Sequence, residues 1–434
     1  MLERSHHKVY SQEDVVPIRR KREGHNTTHI GGVSCGDIFA LDLGTTKFCL
    51  ATIQATEKHE KPMIQKAVVP SGGMRRGMIC HMGEAQKALD RLMYLAEKEF
   101  ARDIKQVYLG VAGSHLRSRI AHATLDLGGD TITKEDQLSL MKKCGRPIDQ
   151  NYEVLHNIPI HYQVDSREFV DCATGFSGDF LKGSSFVIEA DTNYLRDLIR
   201  LCNICGLKVK KLYAEPYASA SVVVPYEQKR QGVVVVDIGG GTSDGIAFKD
   251  GKPVKMFTIN VGGQIISQDL ATCLRISPED AHQIKHYFGL NYIADRSDKQ
   301  ADSGVTVCQR SGRQVTVTAE HVYKILSCRV SELYELTKQQ LGDMAGLLHS
   351  GLILTGGGSE LASLNQFLAW EKSVYVSQQK PSLPKLTNQT SHPDNRLSES
   401  SPYATVCGLL YLAWLDVQKA PPVTQKASNQ DRKS

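Results

Sequence analysis

Residues 42–47 of the chain have the sequence DLGTTK, and residues 237–244 have the sequence DIGGGTSD. Each stretch follows an apolar segment typical of a buried strand and precedes another strand-like segment, so each is predicted to form a hairpin with glycine at its tip. Glycine lets the backbone turn with positive φ and leaves no side chain over the peptide amides. Consecutive amides at such a tip form a concave site that suits phosphate oxygens. The two stretches therefore predict two phosphate-binding hairpins.

The side chains of these two hairpins support the same interpretation. Threonine hydroxyls add donors for phosphate oxygens, and Lys47 adds a positive charge. Asp42 and Asp237 end the first strand of each hairpin and could hold a hydrated magnesium ion, because this ion binds few carboxylates and keeps several waters. Either hairpin alone could equally be an ordinary β-turn. Two matching hairpins 195 residues apart (237 minus 42) favour two related halves that hold one phosphate chain, since hairpin turns need no shared side chains.

Two further motifs follow the first hairpin along the chain. Residues 352–359, LILTGGGS, combine a buried strand with three glycines, which would let a flat base approach the backbone. Glycine at the end of a strand is common in α/β folds, so this motif gains weight only from its place after two phosphate hairpins. Glu215 precedes Pro216 at the end of a short strand, where a carboxylate could order a water near a γ-phosphate. The alternative is an ordinary helix start with proline at the first helical position.

The composition of the 434-residue chain excludes several classes of protein. The 52 basic and 47 acidic residues nearly balance, and no basic face is interleaved with aromatic residues, so nucleic acid is not a predicted partner. The 11 cysteines are scattered through apolar segments, as buried thiols are in a reducing cytoplasm. No apolar run reaches the ~18 residues of a membrane-spanning helix. The N-terminus also lacks the apolar core of a signal peptide. The sequence therefore predicts a cytoplasmic protein.

The pattern of apolar residues, glycines and charges predicts a division of the chain into halves, an insert and two tails. The predicted parts are a disordered basic N-terminal arm over 1–36, a first half over 37–113 and 206–231, an inserted α+β subdomain over 114–205, a second half over 232–416 with its smaller subdomain over 262–348, and a disordered tail over 417–434. Helices are predicted over 83–100, 133–144, 193–205, 265–274, 278–288, 319–341 and 402–415.

The four motifs, in this order, resemble those of the actin, Hsp70 and sugar-kinase superfamily, and within it the chain is most similar to the FtsA family of bacterial cell division proteins. Residues 42–47 and 237–244 resemble the phosphate-1 and phosphate-2 hairpins of the family, and residues 356–358 resemble its adenosine motif. The insert over 114–205 lies where FtsA has a distinctive small subdomain, whereas actin and MreB place a different subdomain elsewhere. The resemblance implies an α/β, actin-like (ribonuclease H-like) two-lobed ATPase fold with an FtsA-type inserted α+β subdomain.

The resemblance also implies a site for ATP and Mg2+ in the cleft between the two halves. Asp42 and Asp237 would hold the water shell of the metal, and Glu215 and Asp237 would be catalytic, with Glu215 positioning the attacking water. ATPase activity would be weak at most. The helix behind the adenine commonly reads Ala-Glu-x-Ile-Lys in the family, so the sequence AHQIK here retains Lys285 but places His282 where a glutamate usually meets the ribose. The implied nucleotide-binding residues are Gly44, Thr45, Thr46, Lys47, Gly239, Gly240, Gly241, Thr242, Lys285, Gly356, Gly357 and Gly358.

In the cell, the resemblance implies an ATP-binding protein that assembles at the septum and links the FtsZ ring to the membrane and to later division proteins. Its implied partners are the tubulin-like FtsZ, other divisome proteins and further copies of itself in actin-like filaments. Its implied location is the cytoplasm, peripheral to the cytoplasmic face of the inner membrane at the division site. Residues 418–434 have almost no large apolar residues, so membrane contact is expected through a partner or the N-terminal arm rather than through this tail.

Two alternatives remain open at the level of sequence. A pilus-assembly-type actin-like scaffold shares the insert with FtsA, so the motifs do not separate the two. A sugar or metabolite kinase of the same superfamily needs a catalytic aspartate aimed at a substrate hydroxyl, and no convincing candidate for that residue occurs in the first half.

Overall fold

The computed structural model describes residues 29–30, 33–34, 38–54, 63–291, 304–383 and 400–419. Within these ranges the strands β1 to β19 are, in chain order, His29–Ile30, Val33–Ser34, Ile38–Leu43, Lys47–Gln54, Met63–Pro70, Met74–Arg75, Met78–Ile79, Gln106–Val111, Leu116–Asp126, Tyr152–Val164, Phe180–Asp191, Lys208–Ala214, Val233–Ile238, Ser243–Lys249, Lys252–Ile259, Val305–Cys308, Gln314–Val317, Leu352–Thr355 and Val376–Gln378. The helices α1 to α11 are Met82–Phe100, Lys134–Cys144, Thr192–Ile204, Glu215–Val223, Tyr226–Gln231, Gly263–Leu274, Pro278–Phe288, Ala319–Leu341, Leu347–Ser350, Leu364–Lys372 and Ala404–Lys419. No helix in the described ranges combines the length and the apolar content needed to cross a membrane.

Two five-stranded sheets share one topology. In the first sheet, β3, β4 and β5 form an antiparallel meander, and β8 and β12 add in parallel beside β3, which gives the order β12-β8-β3-β4-β5. In the second sheet, β13, β14 and β15 form the meander, and β18 and β19 add in parallel beside β13. The two predicted hairpins, β3–β4 and β13–β14, therefore occupy equivalent places in two related halves.

Both sheets are covered on both faces, which explains why their central strands are apolar without alternation. Phe39 of β3 faces a core that contains α1 and α3, whereas its neighbour Ala40 faces a second core around α4 and α11. In β13, Val234 faces a core with α6, α7 and α8, and Val235 faces the same core around α4 and α11. The core around α4 and α11 is thus shared by the two halves and joins them.

Helices α4 and α11 cross between the two sheets. Helix α4 follows the last strand of the first sheet but lies against β13 and β14, whereas α11 follows the second sheet and lies on β3, β4 and β8. The helices touch where Gly408 meets α4, because a Cβ atom built on Gly408 would lie 2.0 Å from the carbonyl oxygen of Ala218. Each half therefore contributes a helix to the packing of the other half.

The insert is a three-stranded antiparallel sheet in the order β10-β11-β9, with α2 on one face. Leu140 of α2 packs with Leu181 of β11 in a small separate core. Helix α2 begins as the sequence predicts, with a capping box in which the Thr133 hydroxyl accepts from the Asp136 N–H and the Asp136 carboxylate accepts from the Thr133 N–H. The start of α2 is therefore predicted correctly from this local signal.

The sequence predicts a helix over 193–205 at the end of the insert 114–205. In the structure this helix, α3, packs its apolar face on α1 and on the first sheet as well as on β11 of the insert. Leu195, Leu198 and Leu201 lie in the same core as Leu92 of α1. The helical spacing of these leucines gives α3 a buried stripe, and sequence spacing alone does not say which layer that stripe meets. The sheet of the insert ends at Asp191, immediately before α3.

The predicted disordered ends lie mostly outside the described residues. Within the predicted arm 1–36, β1 and β2 pair as two short antiparallel strands. Helix α11 extends to Lys419, into the predicted tail 417–434, rather than ending at 415. A tertiary contact holds its last turns, because the Tyr213 hydroxyl donates a hydrogen bond of 2.7 Å to the Asp416 carboxylate.

Candidate functional site

A cavity of about 270 Å³ lies between the two halves, at the tips of the two hairpins. Every residue that the sequence predicts for the site lines this cavity. These residues are Asp42, Gly44, Thr45, Thr46, Lys47, Glu215, Asp237, Gly239, Gly240, Gly241, Thr242, Lys285, Gly356, Gly357 and Gly358. The fold therefore brings together residues that are up to 316 positions apart in the chain (358 minus 42).

The two hairpin tips meet directly across the cavity. A Cβ atom built on Gly240 would lie 2.3 Å from the Cγ2 atom of Thr46, and one built on Gly241 would lie 2.8 Å from the Thr45 hydroxyl oxygen. Such distances are shorter than real Cβ contacts, so glycine is needed at both positions for the halves to close this far. The Thr45 hydroxyl also accepts a hydrogen bond of 3.1 Å from the Gly77 N–H. The glycines of the second hairpin thus allow the two halves to approach each other closely.

The N-terminus of α6 supports the second hairpin from behind. The Gly263 N–H donates to the Gly239 carbonyl at 2.9 Å, and the Gln264 N–H donates to the Gly240 carbonyl at 2.8 Å. Gly263 and Gln264 also line the cavity. The N-terminus of a helix carries partial positive charge and favours anions. This end of the cavity therefore suits a phosphate group.

The glycines of the third motif are required by packing as well as by access to the cavity. Gly356 has φ of 81°, and a Cβ atom there would lie 2.1 Å from Oδ1 of Asp237. A Cβ atom on Gly358 would lie 2.3 Å from a methyl carbon of Ile238, whereas Gly357 faces open space to 3.9 Å. The strand β18 can therefore end against β13 only with glycine at two of the three positions.

After these glycines the chain turns tightly before the next helix. Residues Gly357–Glu360 form a short 3₁₀ turn, and α10 begins at Leu364. The Ser359 hydroxyl donates to the Gly356 carbonyl at 2.7 Å and stabilises the tighter turn.

Four carboxylates converge on the cavity. Burial raises the pKa of Asp42 to about 6, opposed by the nearby Lys47 ammonium and reinforced by Asp237. Burial raises the pKa of Asp244 to about 6 as well, and it raises the pKa of Glu215 well above its ordinary value with the help of the other three acids. Burial also raises the pKa of Asp237. A cluster of desolvated carboxylates of this kind favours a bound cation, since a divalent ion removes their mutual repulsion.

The donor chemistry of the cluster fits magnesium, which prefers oxygen ligands and retains water. No three acidic, histidine or cysteine side chains in the described part of the chain are arranged so that they could hold a metal ion directly. Asp42 and Asp237, at equivalent ends of β3 and β13, remain the predicted contacts to the water shell of such an ion.

Two lysines of the site are held by backbone carbonyls. Lys47 Nζ donates to the Pro402 carbonyl at 2.6 Å and lies 4.1 Å from the centre of the Tyr403 ring. Lys285 Nζ donates to the Gly263 carbonyl at 2.9 Å, and burial lowers its pKa to about 8. Lys47 therefore lies against Pro402 and Tyr403, and Lys285 lies beside the first residue of α6.

On the helix that carries Lys285, two histidines form one wall of the cavity. His282 and His286 both line it, one turn apart on α7, with ring centres separated by 4.5 Å. Burial and the neighbouring Lys285 lower the pKa of both rings. The imidazole of His282 thus lies in the wall of the cavity, at the position where the family resemblance implies a glutamate carboxylate.

Sequence reasoning missed part of the site. Asp244 stands inside the DIGGGTSD motif, but only the structure shows its carboxylate in the cavity, where it accepts hydrogen bonds from Thr242 and Thr258. Pro402 and Thr405 also line the cavity, and the Thr405 hydroxyl donates to Oδ2 of Asp237 at 3.1 Å. No glycine cluster or charge marks the segment around Pro402, so the sequence carries no signal for it.

Comparison with known proteins points to one family. Residues 234–408 match the family described as "Cell division protein FtsA", and residues 113–188 match "SHS2 domain inserted in FTSA". The cell division protein FtsA of Pseudomonas aeruginosa is 27% identical, with 75% of this chain and 78% of the relative covered. The proteins of the same name from Neisseria meningitidis (28% identical, 76% and 80% covered) and Escherichia coli K12 (25% identical, 86% and 89% covered) are also similar.

Similarity to solved structures confirms the predicted fold class. A structure of the PilM–PilN type IV pilus biogenesis complex matches with a TM-score of 0.58 at 14% identity, covering 87% of this chain and 98% of that chain. MreB5 of Spiroplasma citri bound to ADP matches with a TM-score of 0.52 at 13% identity, covering 88% and 97%. The chain therefore has the two-lobed actin-like fold. The two family models match its second half and its insert, and together these matches span more than half of its length. The chain belongs to the FtsA family of cell division proteins.

Proposed function

We propose that this protein binds ATP with magnesium in the cavity between its two halves and that the nucleotide controls its assembly at the division septum. The single observation that carries the proposal is the meeting of two glycine hairpins, one from each half, at one acid-lined cavity. The relative MreB5, which shares the fold, was solved with ADP. This supports a nucleotide as the ligand.

The proposed roles follow the position of each residue in the cavity. Thr45, Thr46 and Lys47, together with the glycines and threonine of 239–242, bind the phosphates. Lys285 and the glycines 356–358 hold the nucleoside. Asp42 and Asp237 contact the water shell of magnesium. The metal, when bound, neutralises negative charge on the phosphates and on the carboxylates.

Glu215 is proposed to orient the attacking water in a slow hydrolysis. Its side chain lies over Gly110, where a Cβ atom would come within 2.6 Å of Oε1. Its proton is held tightly while the cluster is without a cation, because burial and the neighbouring Asp42, Asp244 and Asp237 raise its pKa. A cation in the cluster would lower this pKa and leave a carboxylate that accepts a hydrogen bond from water. Alignment and electrostatics of this kind support at most weak ATPase activity.

In the cell, the proposed role is to link the FtsZ ring to the membrane and to later division proteins. The proposed partners are an FtsZ-like tubulin homologue, other divisome proteins and further copies of this chain in actin-like filaments. The proposed location is the cytoplasmic face of the inner membrane, with peripheral contact. Membership of the FtsA family supports each of these assignments, and the division into an arm, two halves, an insert and a tail remains part of the same proposal.

The test combines calorimetry with sedimentation. Wild-type protein is expected to bind ATP only with magnesium present and to co-sediment with FtsZ filaments in an ATP-dependent manner. Asp237→Ala is expected to weaken magnesium–ATP binding by about 100-fold or more, since it removes a carboxylate from the cluster. Asp103→Ala, at an exposed aspartate whose side chain pairs with Lys105 at the surface, is the matched control. An Asp237→Ala protein that binds and sediments like the control would refute the proposal.

A further inference from the structure

A histidine of the insert contacts the backbone immediately before Glu215. His156 lies on β10, and its Nε2 atom accepts a hydrogen bond of 2.9 Å from the N–H of Ala214. Ala214 is the last residue of β12, and Glu215 is the first residue of α4. The last peptide of the strand, between Tyr213 and Ala214, is thus held by a side chain from a different sheet, one peptide before the start of the helix.

The place of β12 in its sheet explains why this contact is needed. β12 is the edge strand of the first sheet and pairs only with β8 in the described part of the chain. A buried N–H at this point would lack a partner without His156, and an unpaired buried N–H is strongly unfavourable.

The ring of His156 is fixed on both sides. Its centre lies 4.9 Å from the ring of Tyr217 on α4 and 5.8 Å from the ring of Tyr213 on β12. The charged groups that face it are Lys211 on β12 and Asp416 on α11. Burial and Lys211 lower the pKa of His156 to about 3, and Asp416 opposes this shift. The ring is therefore neutral near pH 7, with Nε2 as acceptor and the proton on Nδ1.

We propose that His156 is a positioning residue for Glu215, through which the inserted subdomain sets the geometry of the water that attacks ATP. The inference rests on the proposed hydrolysis at Glu215. The Glu215 side chain has little freedom over Gly110, and a displacement of about 1 Å at a reacting group can cost on the order of 100-fold in rate. Holding the backbone N–H of Ala214 at the end of β12 therefore restricts the position of Glu215, which is the next residue.

The experiment compares three substitutions in the full-length chain. His156→Phe keeps a ring of similar size but has no acceptor, and His156→Gln offers a carbonyl oxygen near the position of Nε2. The control is His161→Phe, on the same strand, where Nε2 contacts the Ser184 hydroxyl at 3.2 Å instead of the backbone before Glu215. Calorimetry gives the affinity for magnesium–ATP, single-turnover hydrolysis gives the rate, and amide exchange at Ala214 reports the hydrogen bond itself.

If His156 is a positioning residue, its substitution should lower the rate of ATP hydrolysis but leave the affinity for magnesium–ATP nearly unchanged. His156→Phe should lower the hydrolysis rate by about 10- to 100-fold with affinity within about 2-fold of wild type, and it should speed exchange of the Ala214 amide. His156→Gln should restore most of the rate, and His161→Phe should match wild type. The loss in His156→Phe should be constant between about pH 6 and 8, because the ring is not a general base and does not titrate there.

The outcomes separate this inference from the proposed function. A wild-type protein that fails to bind magnesium–ATP contradicts the proposed function itself. If wild type binds and hydrolyses ATP but His156→Phe keeps the full rate, or if His156→Gln is as slow as His156→Phe, the positioning role is wrong. An equal loss of affinity and rate in His156→Phe, or a wild-type protein that binds ATP without any hydrolysis, also overturns it.

Discussion

Replacing Gly408 by alanine is expected to force apart the two helices that join the halves. A Cβ atom at this position would lie 2.0 Å from the carbonyl oxygen of Ala218 and 2.9 Å from the nitrogen of Ser219. Ordinary contact begins at about 3.4 Å, so α4 and α11 would have to separate by about 1.4 Å (3.4 minus 2.0). The flanking Cys407 and Leu409 are fully buried, which leaves no free space for this shift.

The expected cost follows from two opposing effects. Overpacking a core costs about 1–3 kcal/mol, and the upper end applies because the obstacle is a backbone carbonyl that cannot rotate away. Alanine in a helix is more favourable than glycine by about 1 kcal/mol. The free energy of unfolding should therefore fall by about 2 kcal/mol. Because α4 begins at Glu215 and Thr405 of α11 contacts Asp237, the affinity for magnesium–ATP should fall as well.

The assay for Gly408→Ala is urea denaturation combined with calorimetry of magnesium–ATP binding. Gly83→Ala is the matched control, since Gly83 also lies in a helix, α1, and a Cβ atom there meets nothing within 4 Å. The control should be unchanged or slightly more stable, with normal binding. The reasoning is refuted if Gly408→Ala unfolds at the same urea concentration as Gly83→Ala and binds nucleotide equally well.

Two further predictions concern charge. Burial raises the pKa of Asp42 and Asp244 from 3.8 to about 6, so the folded protein binds more protons than the unfolded chain between these values. Lowering the pH from 7 towards 5 should therefore relieve a penalty and stabilise the nucleotide-free protein while weakening magnesium–ATP binding; a double substitution of both residues by asparagine should reduce this dependence, with the remainder due to Glu215 and Asp237, whose pKa burial also raises, and an unchanged dependence would contradict the assignment. Separately, Glu189→Gln should lower the free energy of unfolding by about 3 kcal/mol, because the fully buried carboxylate pairs with Arg119 at 2.9 Å. Asp103→Asn, at an exposed ion pair, should change it by less than about 1 kcal/mol, and similar denaturation curves for the two variants would refute the reasoning.

Local signals in the sequence predicted many of the elements well. The bounds of α7 and α8 coincide with prediction, because Ser277 and Thr318 cap their N-termini and Gly289 and Gly342 follow their ends. The hairpin at 42–47 was also predicted, as its glycine turn separates two apolar strands. These features depend on residues close together in the chain, so their energetics are visible without the fold.

Long-range contacts account for what the sequence did not predict. The leucines of α3 indicate a buried face, but only the packed structure shows that this face meets α1 as well as β11 of the insert. Thr405 reaches the acidic cluster through helix crossing and belongs to no motif, whereas Asp244 lies in the DIGGGTSD motif but only strand pairing shows that its carboxylate joins the cluster. The raised pKa values of the cluster likewise arise from burial among several elements, which no single segment encodes.

The sequence by itself determined the two glycine hairpins, the three glycines after β18, the insert and the family, because each depends on turn chemistry or on residue order along the chain. Only the tertiary structure decided that Gly240 contacts Thr46, that four carboxylates share one desolvated cavity, and that a histidine of the insert holds the N–H of Ala214. The physical reason is that close approach and desolvation are properties of distant segments packed together. Their contributions to the free energy arise only when the two halves and the insert are in contact.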